Sequence, residues 1–197
     1  MGVDRWLPKL RPRLETLCLE HGVPLGVAVG WIQKESGGRL SETTSYDERG
    51  YFQLMPEESK DLGLDHARLS TDSDYSLEAG FTLIASYNRR VLKAASHASI
   101  TDQRVRAFLD TPHGTEYRFR LVKFFHSIGG GAAKAIFLDA LIDQAADSWA
   151  ALSIYAMERD DQYLHELKHR PSKWIGLVNE MFKIGEPYGI GKPEEVA

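Results

Sequence analysis

Apolar residues return along this chain at the three-and-four spacing of helices. Leu7, Leu10, Leu14, Leu17 and Cys18 form a first stripe, and Gly22 stops it. The next stretch, GVPLGVAVGWIQKES, is apolar nearly all the way round, with Pro24 in its first turn. It predicts a central, buried helix. Residues 37–54 break the period with Gly, Ser, Thr and Asp. They predict a loop with at most a small β-hairpin near residues 43–54, because GYFQL carries strand-type residues. A short helix is expected from Pro56 to Gly63, opened by proline and closed by glycine. A long one is expected from Asp74 to about Ala98, with Leu77, Phe81, Ile84, Val91 and Leu92 on one side. Further helices are expected near 101–109, 115–126, 131–145, 147–158 and 172–183. The fold class is therefore mainly α. No repeat, low-complexity linker or composition break divides the chain. One domain over residues 1–185 with a C-terminal tail at 186–197 is expected.

Composition narrows the partners. Of 197 residues, 43% are hydrophobic and 26% charged, an ordinary balance for a globular protein, and the net charge is −4. No basic tract is present, so nucleic acid is not the expected partner. No run approaches the ~20 apolar residues of a membrane span. The first residues, MGVDRWLPKLRPRLETL, lack a continuous apolar core, so no secretory signal is expected there. The lone cysteine, Cys18, lies on the first apolar stripe and reads as a core thiol.

Candidate chemistry begins at Glu35, in GWIQKESGGRL, at the foot of the buried helix and just before Gly37 and Gly38. Unpaired carbonyls at a helix C-terminus act as partial negative charge, and Trp31 stands one turn back on the same face. A carboxyl so placed is pushed toward its protonated form, which a general acid needs. A solvated glutamate at a frayed helix end is the plain alternative. Elsewhere, His165-Glu166-Leu167-Lys168-His169 has the letters of a zinc-protease helix, H-E-x-x-H. Pro171 close behind, polar surroundings and the lack of a third ligand argue against it. No metal and no cofactor are expected. Gly129, Gly130 and Gly131 could cradle phosphate at a helix start. They lack the Lys-Ser/Thr of a P-loop, so close backbone approach is the simpler reading.

The segment after Glu35 carries a resemblance. Glu35-Ser36, Ser45 and Gly50-Tyr51-Phe52-Gln53-Leu54-Met55-Pro56, followed by ESKDLGL, resemble the soluble-type lytic transglycosylases, relatives of goose-type lysozyme. RLSTDSDYSLEAGFTLIASYNRRV resembles the helix that follows in that family, with Gly80 at its glycine. The likeness covers about residues 22–92. Further on, FHSIGGGAAKA is similar to the family's A-Y-N-A-G-x-G element, with His126-Ser127 where that family has Tyr-Asn. Tyr87-Asn88 offers the same letter pair but falls too early, inside the long helix. SKWIGLVNEMF resembles a later family helix, with Trp174 where tyrosine is usual.

The resemblance implies a lysozyme-like helical domain that acts on peptidoglycan glycan strands. Glu35 would be the single catalytic residue, first protonating the leaving oxygen of the MurNAc-β-1,4-GlcNAc bond. It would then take the proton of the muramic C6 hydroxyl as that oxygen closes on C1, leaving a 1,6-anhydro sugar. Ser45, Phe52, Gln53, Met55, His126, Ser127 and Trp174 would contact substrate. Each also has a structural alternative: a turn cap for Ser45, core or wall for Phe52 and Met55, loop hydrogen bonding for Gln53. Two other functions stay open. One is a goose-lysozyme-type hydrolase with Asp47 or Glu48 activating water. The other is a non-catalytic protein that binds or delivers peptidoglycan. Localisation and oligomeric state stay open as well.

Overall fold

Ten α-helices and almost no strand make up the computed structural model, which describes residues 2–96 and 100–190, with 72% of the chain helical. The fold is mainly α. The helices are α1 (Leu7–His21), α2 (Leu25–Glu35), α3 (Pro56–Asp61), α4 (Ser73–Ala94), α5 (Ile100–Leu109), α6 (Thr115–Ile128), α7 (Gly130–Ile142), α8 (Trp149–Glu158), α9 (Asp160–Leu167) and α10 (Pro171–Gly185). None is long and apolar enough to cross a membrane, among the described residues. The chain forms two compact units. The first takes residues 1–85 and returns at 181–197; the second is residues 86–180. Helices α4 and α10 each run through a division.

In the first unit α2 is the central element. Gly26 through Ile32 are all buried, which is why the sequence there has no polar face. Its two glycines admit the returning chain. A Cβ on Gly30 would stand 2.2 Å from the Met181 carbonyl oxygen, and one on Gly26 2.4 Å from that of Gly185. The Gly26 amide donates to Gly189 O at 2.8 Å. The tail expected from residue 186 is thus packed at its start: Glu186–Tyr188 form a 3₁₀ turn beside α2. Residues 191–197 lie outside the described residues. Trp31 of α2 meets the edge of Phe52, and Phe52 meets Phe81 of α4, at 6.1 and 6.0 Å between ring centres. All three rings are fully buried.

The hairpin expected near 43–54 is reduced to two isolated antiparallel bridges, Thr43 with Arg49 and Arg49 with Leu54. Arg49 and Leu54 exchange both backbone hydrogen bonds at 3.0 Å, so Gly50–Gln53 form a tight turn rather than strand.

The second unit is built on α6 and α7, which are joined by Gly129 alone, at φ 88°. Phe125 of α6 packs edge-on to Phe137 of α7 at 6.3 Å, and Tyr117 donates to Ala146 O at 2.9 Å. Ser148 caps α8 by accepting from the Ala151 amide at 3.1 Å. Helix α9 was not foreseen from the pattern. Its only buried side chain is Tyr163, so it has no apolar stripe to read.

Candidate active site

Glu35 is the last residue of α2 and is half-buried. The chain leaves the helix through Ser36, which is buried. Ser36 Oγ donates toward Tyr51 O at 2.9 Å and stands 3.2 Å from Ile32 O, while the Gly38 amide reaches Ser36 Oγ at 3.3 Å. This hydroxyl ties the carboxylate-bearing helix end to the turn that carries Gln53. Tyr51 is held from the other side as well: its amide donates to Ser76 Oγ of α4 at 3.0 Å, and its hydroxyl lies 3.1 Å from Ser73 Oγ. Two segments far apart in sequence are therefore fixed on one scaffold. In sequence Ser36 is only Glu35's neighbour; its tethering role needs the fold.

Gln53 adopts φ 51°, in the left-handed region, and is 2% exposed. Its Nε2 donates to Gly50 O at 2.8 Å and Glu42 O at 3.1 Å. The amide nitrogen is thus committed to the loop backbone, as the structural alternative had it. Its Oε1 is buried with no hydrogen-bond partner among the described residues, which leaves one acceptor to fill. Phe52, a substrate contact in the resemblance with core or cleft wall as its structural alternative, lies in the core of the first unit. It is 0% exposed and walled in by Trp31, Phe81 and Gly80, so it shapes the core beneath the turn. Met55 is 38% exposed and caps α3, its amide donating to Glu58 Oε2 at 3.1 Å. Ser45 is exposed, at the tip of a turn closed by Asp47 N to Thr44 O at 3.0 Å.

The two loop carboxylates have partners of their own. Asp47 Oδ1 accepts from Arg49 Nε at 2.8 Å, and Glu48 Oε2 accepts from Thr44 Oγ1 at 2.7 Å. Asp47 adopts φ 57°. Its carbonyl is met by His66 Nε2 at 2.8 Å; a carbonyl only accepts, so Nε2 is the protonated nitrogen. His66 Nδ1 lies 2.8 Å from Ser59 Oγ of α3. This pin from α3 to the loop had no signal in the sequence pattern.

His126, Ser127 and Trp174 belong to the second unit. His126, near the end of α6, stands edge-on to Tyr87 of α4 at 5.4 Å, and Lys123 Nζ is 3.2 Å from its Nδ1. Burial, and then the Lys123 charge, hold the His126 imidazole well below the ordinary histidine range. Both Tyr-Asn-like positions considered from sequence, Tyr87 and His126, meet at one place in the fold. Gly130 lies beside Arg90, whose guanidinium stacks over Tyr87 at 4.7 Å. Trp174 is half-buried on α10, with Lys173 Nζ over its ring at 4.7 Å.

The H-E-x-x-H letters do not make a metal helix. Lys168 adopts φ 62° and ends α9 at Leu167, so His169 falls off the helix that carries His165. Among the described residues no group of three His, Cys, Asp or Glu side chains could hold a metal ion. Cys18 is a buried core thiol, pushed up to about 12 by burial and then by Glu15. The chain matches no family model, no curated protein and no solved structure.

Proposed function

We propose that this protein is a peptidoglycan lytic transglycosylase, cleaving the MurNAc-β-1,4-GlcNAc bond with formation of 1,6-anhydro-MurNAc. The observation that carries the reading is the Ser36 tether. It fixes a half-buried carboxylate at the end of an apolar helix against the turn bearing a buried glutamine. That pairing is the core of the resemblance noted from Glu35-Ser36 and GYFQLMP. In this reading Glu35 donates its proton to the glycosidic oxygen as the C1–O bond breaks. The resulting carboxylate accepts the C6 hydroxyl proton while O6 bonds to C1, so Glu35 ends protonated and no water is consumed. The half-positive sugar ring in between is stabilised by nearby carbonyl dipoles.

The commitments of Asp47 to Arg49 and of Glu48 to Thr44 favour this route over hydrolysis. A hydrolase of the inverting kind needs a second carboxylate free to activate water, ~6.5–9.5 Å from the acid. The test is digestion of purified peptidoglycan in water enriched in heavy oxygen, with products read by mass spectrometry. Unlabelled anhydro-muramyl ends are expected. Glu35→Gln is expected to keep the fold and lose about 10²–10⁴ in rate, the usual worth of general acid–base catalysis. Labelled reducing muramic ends would make the protein a hydrolase; an active Glu35→Gln would move the chemistry elsewhere.

A further inference from the structure

Resting on that reading, we propose that Tyr46 is a fixed stacking platform for a sugar ring of the glycan strand. It is 72% exposed, more so than any other Phe, Tyr or Trp among the described residues. A lone exposed aromatic is common on protein surfaces, so exposure by itself assigns nothing. The loop that holds this one is what distinguishes it. Within residues 44–49, Thr44, Asp47, Glu48 and Arg49 are each held by side-chain hydrogen bonds. Thr44 Oγ1 donates to Glu48 Oε2 at 2.7 Å and stands 3.2 Å from the Tyr46 amide. Asp47 is bound through its carboxylate to Arg49 and through its carbonyl to His66, at 2.8 Å each. The base of the loop is bridged, Thr43 to Arg49, and Gln53 Nε2 clamps the Glu42 carbonyl just before it.

The backbone is strained to achieve this. Of four non-glycine residues with positive φ among the described residues, Asp47 lies in this loop and Gln53 in the turn that follows it. Such conformations cost of order 1–3 kcal/mol each and persist where the surroundings impose them, often at functional sites. The side chains of Ser45 and Tyr46, the two central residues of the turn from Thr44 to Asp47, enter none of these bonds, and of the two only Tyr46 offers a flat apolar face. A pyranose has one face of C–H groups, and a rigid aromatic plane meets such a face with little ordering cost. The same scaffold that holds Gln53 beside the Glu35 helix end holds this ring, through Arg49 and its bridge to Leu54.

The experiment uses soluble glycan strands freed of their peptides, and intact peptidoglycan in parallel. On naked strands Tyr46→Ala is expected to raise KM about tenfold with kcat retained, the worth of one aromatic contact. Tyr46→Phe and Tyr46→Trp are expected to stay near wild type, because the ring and not the hydroxyl makes the contact. All three should unfold at the wild-type temperature, since the side chain packs on nothing that folding needs. An unchanged KM for Tyr46→Ala overturns the platform while leaving the lyase reading intact. A defect in Tyr46→Phe equal to that of Tyr46→Ala overturns stacking in favour of a hydroxyl contact. A defect seen only on peptide-bearing material makes Tyr46 a reader of stem peptide and overturns the sugar assignment. No cleavage by the wild-type chain on either substrate removes the lyase reading, and the platform with it.

Discussion

At the residue scale the first unit turns on two small residues, Ser36 and Gly80. Ser36 gives its single hydroxyl to a buried carbonyl, Tyr51 O, across fifteen residues of sequence. Replacing it with alanine leaves that carbonyl short of a donor in a dry place, which costs about 1–3 kcal/mol. Ser36→Ala is therefore expected to lower stability by that amount in a urea titration. It should also cut cleavage further than the lost stability explains, since Glu35 loses its register against the turn. Gly80 makes room for Phe52. A Cβ there would lie 1.9 Å from Phe52 Cδ2, so alanine must push the ring out of its seat between Trp31 and Phe81. Overpacking of this kind costs about 1–3 kcal/mol. Gly80→Ala is expected to destabilise accordingly and to impair catalysis through the displaced turn. A fully active Gly80→Ala would show that the turn's position does not depend on its floor.

Between elements, the close approach of α2 to the returning C-terminal segment depends on backbone rather than on side chains. Against Gly30 the obstacle is a helix carbonyl, Met181 O, at 2.2 Å from a built Cβ. A ring can tilt aside, but a backbone carbonyl moves only with its helix. Gly30→Ala is thus expected to cost more than Gly80→Ala, and the ordering can be read from the midpoints of the two denaturation curves. The α3 pin acts on the loop instead. His66 joins Ser59 to the Asp47 carbonyl, and Ser59 Oγ also lies 3.1 Å from Met55 O. His66→Phe keeps the bulk and removes both ring nitrogens. It is expected to leave the helical signal unchanged while raising KM, because the loop that carries Tyr46 loses its outer anchor.

For the molecule as a whole, acid stability follows from His126. Its folded-state pKa is depressed by burial and then by Lys123, with Tyr87 edge-on and Arg90 stacked on Tyr87 nearby. The unfolded chain takes a proton near pH ~6.5 that the folded one refuses. Below that value the unfolded state binds more protons, so stability falls as pH drops, by at most about 1.4 kcal/mol per pH unit for one group. Above it the contribution is complete. His126→Leu is expected to flatten the dependence between about pH 6.5 and 5. An unaltered slope in the variant would assign the acid sensitivity to other groups.

Hydrophobic spacing was enough to read most helices. The all-round apolar run of residues 23–32 could only be a buried helix, and the glycine-rich break after Ser36 could only be a loop. Glu35 at the junction was legible for the same reason, because an apolar period has to end somewhere and a carboxylate ended it. Helix α9 was invisible, since a helix that buries Tyr163 alone leaves no periodic trace. The zinc-like letters at 165–169, against which Pro171 and the missing third ligand already argue in sequence, also lack a continuous helix, since Lys168 at φ 62° interrupts it. The roles of Phe52 and Gln53 differ although they are adjacent and both came from one motif. One is enclosed by rings from α2 and α4, and the other spends its amide nitrogen on the loop. The chain order names the residue types and their local periods, because those depend on neighbours within a few positions. Burial, the Ser36 tether and the His66 pin depend on groups brought together from distant positions, and only the folded chain decides them.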